Sequence, residues 1–254
     1  MIILLGMLVE KTTDPNAFSA LTYLWVALLP FGFILIALFI SLKVIHKRSP
    51  KSLISSEQKI RWRMLFHSGL IWFGLSVFFD FILSILQPGN YVFNFDLKQF
   101  LPYAILTLIL VPIQVSAEEF IFRGYLTQLL GLISKKIWLP LMIPAMLFGL
   151  LHSLNLEVST YGVLSTLPFY IGMGIFLGWV TIKSNGLELA LGIHCANNLY
   201  AILITTFSGS SLPSPAIFQI VKYNPIVGLV VFVVQVFLYL ALFPKKSRNS
   251  EMEI

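Results

Sequence analysis

Apolar runs of helix-spanning length constrain this chain more than any other feature. Segments 21–42, 65–86, 101–120 (running on as helix to about 133), 137–152, 161–182, 187–206 and 225–243 are apolar almost throughout. Most reach or approach the ~20 residues that a helix needs to cross a ~30 Å hydrocarbon core. Of the 254 residues 57% are hydrophobic and 11% charged, against about 25% charged in a soluble domain. The chain therefore reads as all-α: a polytopic membrane helical bundle of about seven transmembrane helices, forming a single integral-membrane domain over 1–254. The fourth segment is short, and Pro140 and Pro144 are expected to kink it.

Charge orients the spans. Lys43, Lys47, Arg48, Lys51, Lys59, Arg61 and Arg63 crowd the first loop against Glu57, which predicts that this loop is cytoplasmic. Threading seven spans from there places Lys135, Lys136, Lys183, Lys245, Lys246 and Arg248 on the same side, and only Lys11, Lys98 and Lys222 opposite. The expected topology has the N-terminus outside and the C-terminus in the cytoplasm, with the plasma membrane as location. The net charge of +6 sits at the ends of apolar runs, so it is a topology signal with lipid as partner, and nucleic acid is not expected. Trp62, Tyr91, Trp138, Tyr161 and Trp179 fall near segment ends, as an aromatic belt would. Residues 1–9 read as an interfacial lead-in, 87–90 and 184–186 as turns, and 208–215 as an outer loop. The one cysteine, Cys195, excludes an internal disulfide and reads as a packing residue.

Against this background Glu118, Glu119 and Arg123 stand out, because each ionisable group in hydrocarbon costs about 2.5–3.5 kcal/mol on insertion scales. Glu119 and Arg123 are spaced i,i+4 with the acid first, the favourable order for an ion pair. Glu118 points elsewhere on the helix and is free to work as a general base. Phe148 and His152 share one helical face, as do His194 and Asn198 on another helix. A carboxylate, an imidazole that shares a water and two neutral donors form a kit for amide hydrolysis.

The stretches AEEFIFRGYL (117–126), FGLLH (148–152) and GIHCANN (192–198) resemble the EExxxR, FxxxH and HxxxN motifs of the CAAX-protease and bacteriocin-processing (CPBP, or Abi) family of glutamic intramembrane endopeptidases. The resemblance covers a catalytic core of about 100–206. It implies that Glu118 activates water with His152, that His194 and Asn198 form the oxyanion side, and that Glu119, Arg123 and Phe148 support the site. It implies a peptide or protein substrate, such as a prenylated tail or a secreted-peptide leader. The expected chemistry needs no cofactor; the alternative is zinc held by Glu118, His152 and His194, although no His-Glu-x-x-His pair preorganises two ligands.

Other classes compete. An ion- or proton-coupled transporter would use the same acids and histidines as a relay, but no paired hydropathy repeat is present. A non-hydrolytic immunity or scaffold protein would keep the site for binding alone. A depth problem also arises, since simple threading sets Glu118 and His152 at different levels of the membrane. Asp80 reads as a hydrogen-bonded structural acid, Glu188 as a complement to a helix N-terminus, and Gly174 and Gly178 as a close helix contact.

Overall fold

The computed structural model describes residues 2–12, 14, 18–55 and 59–243. Glu57, Lys245, Lys246 and Arg248, which the charge argument uses, lie outside the described residues. The helices are α1 (Ile2–Glu10), α2 (Ala20–Val44), α3 (Lys51–Ile54), α4 (Trp62–Leu86), α5 (Leu97–Glu119), α6 (Thr127–Ile133), α7 (Trp138–Leu151), α8 (Leu156–Tyr161), α9 (Val163–Ser184), α10 (Glu188–Leu203) and α11 (Pro225–Leu242). A π-helical segment, Phe120–Leu126, joins α5 to α6 without a break, and a 3₁₀ turn, His152–Leu154, closes α7.

All seven apolar segments are mainly helical, although the last residues of the sixth, Thr205 and Thr206, lie in a short strand. Among the described residues five runs are long and apolar enough to cross a membrane: α2, α4, the continuous Leu97–Ile133, α9 and α11. The other two are shorter, with 14 residues in α7 and 16 in α10. At 1.5 Å per residue these rise only about 21 and 24 Å. Large apolar side chains point outward from the bundle, including Leu70, Phe81, Ile109 and Phe237. That is the expected pattern for a protein whose surroundings are themselves apolar.

Local chemistry sets the boundaries. Ser19, Asp96 and Asn224 cap the starts of α2, α5 and α11 by accepting backbone N–H groups, and Pro225 follows Asn224 where its missing N–H is harmless. Asn185 adopts a left-handed conformation (φ 52°) that ends α9 in the expected turn. Pro140 lies in the first turn of α7, where a proline is tolerated, while Pro144 lies inside the helix.

α10 is the central helix. It packs on α4, α5 and α9, while α7 and α11 pack on α9 and α2 packs on α5. One core cluster joins Trp72, Met173, Phe176, Leu177, Ile193 and Tyr239. A second joins Leu24, Tyr103, Val111 and Ile202 across α2, α5 and α10. The α4–α10 crossing is close enough that a Cβ on Gly192 would meet the Leu65 carbonyl oxygen and Ser68 Oγ, both at 2.1 Å. Glycine there lets the two backbones touch.

The structure adds a small three-stranded sheet to the expected all-helical bundle: β1 (Tyr91–Phe93), β2 (Thr205–Phe207) and β3 (Phe218–Ile220), in the order β1-β3-β2. β3 pairs antiparallel with β1 and parallel with β2. Three-residue strands are too short to leave a period in the sequence. Asp80 accepts hydrogen bonds from Tyr91 Oη (2.9 Å) and Tyr200 Oη (2.7 Å), which ties α4, β1 and α10 together in the structural role expected of it. Glu188 is fully buried and is met by Arg61 through Nη2 at 2.7 Å and Nε at 3.0 Å. A specific ion pair therefore joins the expected dipole interaction at the start of α10.

Candidate active site

α5, the π-helical segment, α7 and α10 bring the charged and imidazole side chains together. The change of winding after Glu119 buries Phe120, Phe122, Arg123 and Gly124 within one short stretch. Such π segments often occur where side chains must be re-aimed at functional sites. Within this altered backbone the i,i+4 pair persists: Arg123 Nη1 donates to Glu119 Oε1 at 2.7 Å, with both side chains fully buried. Arg123 Nη2 reaches the Gly174 carbonyl at 3.4 Å, and its guanidinium carbon lies 4.4 Å from the Phe148 ring centroid. A Cβ on Gly174 would come within 2.9 Å of Ala145 Cα, so α9 and α7 make the close contact expected of that glycine.

Glu119 also holds His194. The His194 Nδ1 lies 2.7 Å from Glu119 Oε1. Because the carboxylate already accepts from Arg123, the imidazole is the donor in this bond. Nδ1 therefore carries a proton, and Nε2 faces Glu118 Oε2 at 3.6 Å, longer than a direct hydrogen bond. Glu118 is largely buried, and its Oε2 makes no hydrogen bond within the protein. Glu119 Oε2 is likewise buried without a partner in the protein, so the two acids differ in their other contacts: Glu119 Oε1 binds both Arg123 and His194, whereas Glu118 meets His194 at 3.6 Å.

His152 sits at the C-cap of α7 with Nδ1 2.7 Å from the Phe148 carbonyl. A carbonyl only accepts, so Nδ1 carries the proton, and in the neutral imidazole Nε2 is left with a free lone pair. Both Glu118 and His194 lie within electrostatic range of this ring. Phe148 is the common wall: its centroid is 4.4 Å from that of His152 and 5.8 Å from that of His194. His152, at the end of α7, lies against the same Phe148 ring that meets Arg123 and His194, so the motif side chains gather despite the expected separation in depth.

Asn198 is on α10, and its Nδ2 donates to Gln114 Oε1 at 3.1 Å. Its own Oδ1 accepts from Asn197 Nδ2 at 3.3 Å, and Asn197 Oδ1 in turn accepts from Trp72 Nε1 at 3.3 Å. This chain fixes which way the Asn198 amide faces. Sequence reasoning missed Gln114, although it lies one turn before Glu118 on the same helical face and had that signal to offer. It also missed Tyr170, which stacks on His152 with centroids 4.3 Å apart; a lone tyrosine in an apolar helix carries no such signal. Among the described residues no three His, Cys, Asp or Glu side chains form a group suited to hold a metal ion. Glu118, His152 and His194 are not gathered into such a group; the engaged Nδ1 atoms do not themselves count against zinc, since in each imidazole they leave Nε2 as the atom that would bind it.

Comparison with known proteins gives two matches. Residues 97–200 match the family described as type II CAAX prenyl endopeptidase Rce1-like. The chain is also 31% identical over 218 residues to the uncharacterized protein YyaK of Bacillus subtilis (strain 168), covering 84% of this chain and 73% of that protein. No solved structure matches.

Proposed function

The chain belongs to the Rce1-like family of membrane endopeptidases, and on that basis we propose that it cleaves a peptide bond within or beside the membrane by direct attack of water. One observation carries this reading: residues from three separated sequence motifs gather around the Phe148 ring, and Glu118, unlike Glu119, is not tied up by Arg123 or by a direct hydrogen bond from His194. The comparisons give no support to the transporter alternative.

The reaction follows from the side chains. Glu118 takes a proton from the water as its oxygen attacks the scissile carbonyl carbon, and His152 Nε2 accepts a hydrogen bond from the same water. The carbonyl oxygen becomes an oxyanion, which Asn198 Nδ2 and His194 in its doubly protonated form, donating from Nε2, stabilise. The proton held by Glu118 then passes to the amide nitrogen as the C–N bond breaks, leaving a carboxylic acid and an amine. Glu119 and Arg123 hold His194 and do not exchange protons with the substrate. No acyl-enzyme is required, and Ser116 is a poor nucleophile because its Oγ donates to the Pro112 carbonyl at 2.6 Å. The reading needs no metal.

The substrate class is a peptide or protein tail presented at the membrane, either prenylated or a secreted-peptide leader. The charge pattern supports an outside N-terminus and a cytoplasmic C-terminus, and the plasma membrane is the location that goes with this proposal. The test is cleavage of a fluorogenic farnesylated Cys-aliphatic-aliphatic-X peptide, and of a leader peptide, by purified protein in phospholipid vesicles. Glu118→Ala, His152→Ala and His194→Ala variants that fold normally are expected to lose activity by about 10²–10⁴-fold. Wild-type rates in all three would overturn the proposal.

A further inference from the structure

Tyr170, Glu157, Asn155 and Ser211 form a second polar cluster that lies outside the three motifs and touches the site at one point. Tyr170, on α9, stacks on His152 at 4.3 Å with 26° between the ring planes. Its hydroxyl donates to Glu157 Oε1 and accepts from Asn155 Nδ2 at 3.2 Å. The other Glu157 oxygen accepts from Ser211 Oγ, which itself accepts from the Leu156 backbone N–H at 2.9 Å. Glu157 is buried. A buried carboxylate is costly unless hydrogen-bonded, and this one takes bonds at both oxygens. Fully satisfied networks of this kind are rigid.

His152 needs such a support. Its one hydrogen bond, Nδ1 to the Phe148 carbonyl, leaves the ring free to swing about that bond. Ring contacts from Phe148 and Tyr170 fix the plane. Phe148 belongs to the same helix as His152, so Tyr170 supplies the restraint from outside. One turn further along α9 on the same face, the Gly174 carbonyl receives Arg123. A single helix thus braces both the ion pair and the imidazole.

We propose that Tyr170, anchored by Glu157, is a positioning residue that sets the His152 ring plane, and that Ser211 couples this brace to the 208–215 loop. The inference rests on the hydrolytic reading above. Orientation errors of about 1 Å at a reacting group lower rates by about 10²-fold, so the brace matters even though it touches no substrate.

Two measurements on the full chain in membranes test it. The first is diethyl pyrocarbonate labelling of His152, read by mass spectrometry with exposed His46 as the internal reference. Tyr170→Leu is expected to raise the relative labelling rate several-fold, and Tyr170→Phe and Glu157→Gln to raise it less. The second is the rate at which Glu118-dependent peptide termini appear. Tyr170→Leu is expected to slow it roughly 10- to 100-fold, and to add no further loss in a His152→Ala background. A structural defect would instead add its full cost in both backgrounds. Equal slowing in both backgrounds, or unchanged labelling in every variant, overturns the proposal. If Tyr170→Leu does not fold, Tyr170→Phe and Glu157→Gln carry both measurements. If Glu118→Ala and His152→Ala abolish cleavage while the Tyr170 and Glu157 variants run at the wild-type rate, the brace alone fails. If Glu118→Ala changes no terminus, the hydrolytic reading fails and takes the brace with it.

Discussion

Glu119 and His194, 75 positions apart in sequence, meet at 2.7 Å, and the acceptor is the same Oε1 that binds Arg123. One carboxylate oxygen therefore fixes both the ion pair and the imidazole of the third motif. Two adjacent glutamates consequently have different duties, and substituting them should have different signatures.

Glu119→Gln is expected to destabilise the protein, because Arg123 remains buried at full charge without its partner. Breaking a buried pair in this way costs about 3–5 kcal/mol. Glu118→Gln is expected to leave stability nearly unchanged while abolishing cleavage. Thermal unfolding in detergent micelles alongside a cleavage assay separates the two; equal melting temperatures for both variants would contradict the division.

Gly192→Ala places a methyl group 2.1 Å from the Leu65 carbonyl oxygen, which is backbone and cannot swing away. The α4–α10 crossing must open, at an expected cost of about 1–3 kcal/mol. Since His194 and Asn198 ride on α10, cleavage is expected to fall as well. Gly131→Ala, whose added Cβ meets nothing within 4 Å, is the matched control and is expected to behave as wild type in both assays.

How far these contacts were legible in sequence depends on the kind of signal each leaves. The five long helical runs could be read because a membrane span is long, and about twenty apolar residues are hard to mistake. Glu119–Arg123 was legible because i,i+4 spacing survives even where the backbone turns to π-helix. The bond from Glu119 to His194 was not, because no periodicity reports a contact between α5 and α10. The shortness of α7 was visible, that of α10 was not, and the gathering of His152, His194 and Arg123 around Phe148 required the packing. The sheet and the Tyr170–Glu157 brace left no sequence signal beyond isolated polar residues.

Asp80→Asn is expected to be mild. The amide oxygen still accepts from Tyr91 or Tyr200, and about 1 kcal/mol is lost with the weaker bond. Asp80→Leu strands both hydroxyls and is expected to cost about 2–3 kcal/mol. Cleavage by folded protein is expected to survive in both, and total loss of activity in well-folded Asp80→Asn would assign this acid to the chemistry.

Prolonged treatment with 1,10-phenanthroline is expected to leave the cleavage rate unchanged, since the proposed reaction activates water through Glu118 and His152 alone. The check is the rate before and after dialysis against chelator. A loss of tenfold or more that added zinc reverses would replace the metal-free reading with the zinc alternative.

If Glu118 makes this chain a peptidase, the peptide termini in its membrane depend on that one carboxylate. Mass-spectrometric comparison of peptide termini in membranes carrying the wild-type protein or Glu118→Ala, at matched abundance, addresses that dependence most directly. A defined set of new termini is expected in the wild-type membranes and is missing from those of the variant. Identical termini in the two membranes would contradict that dependence.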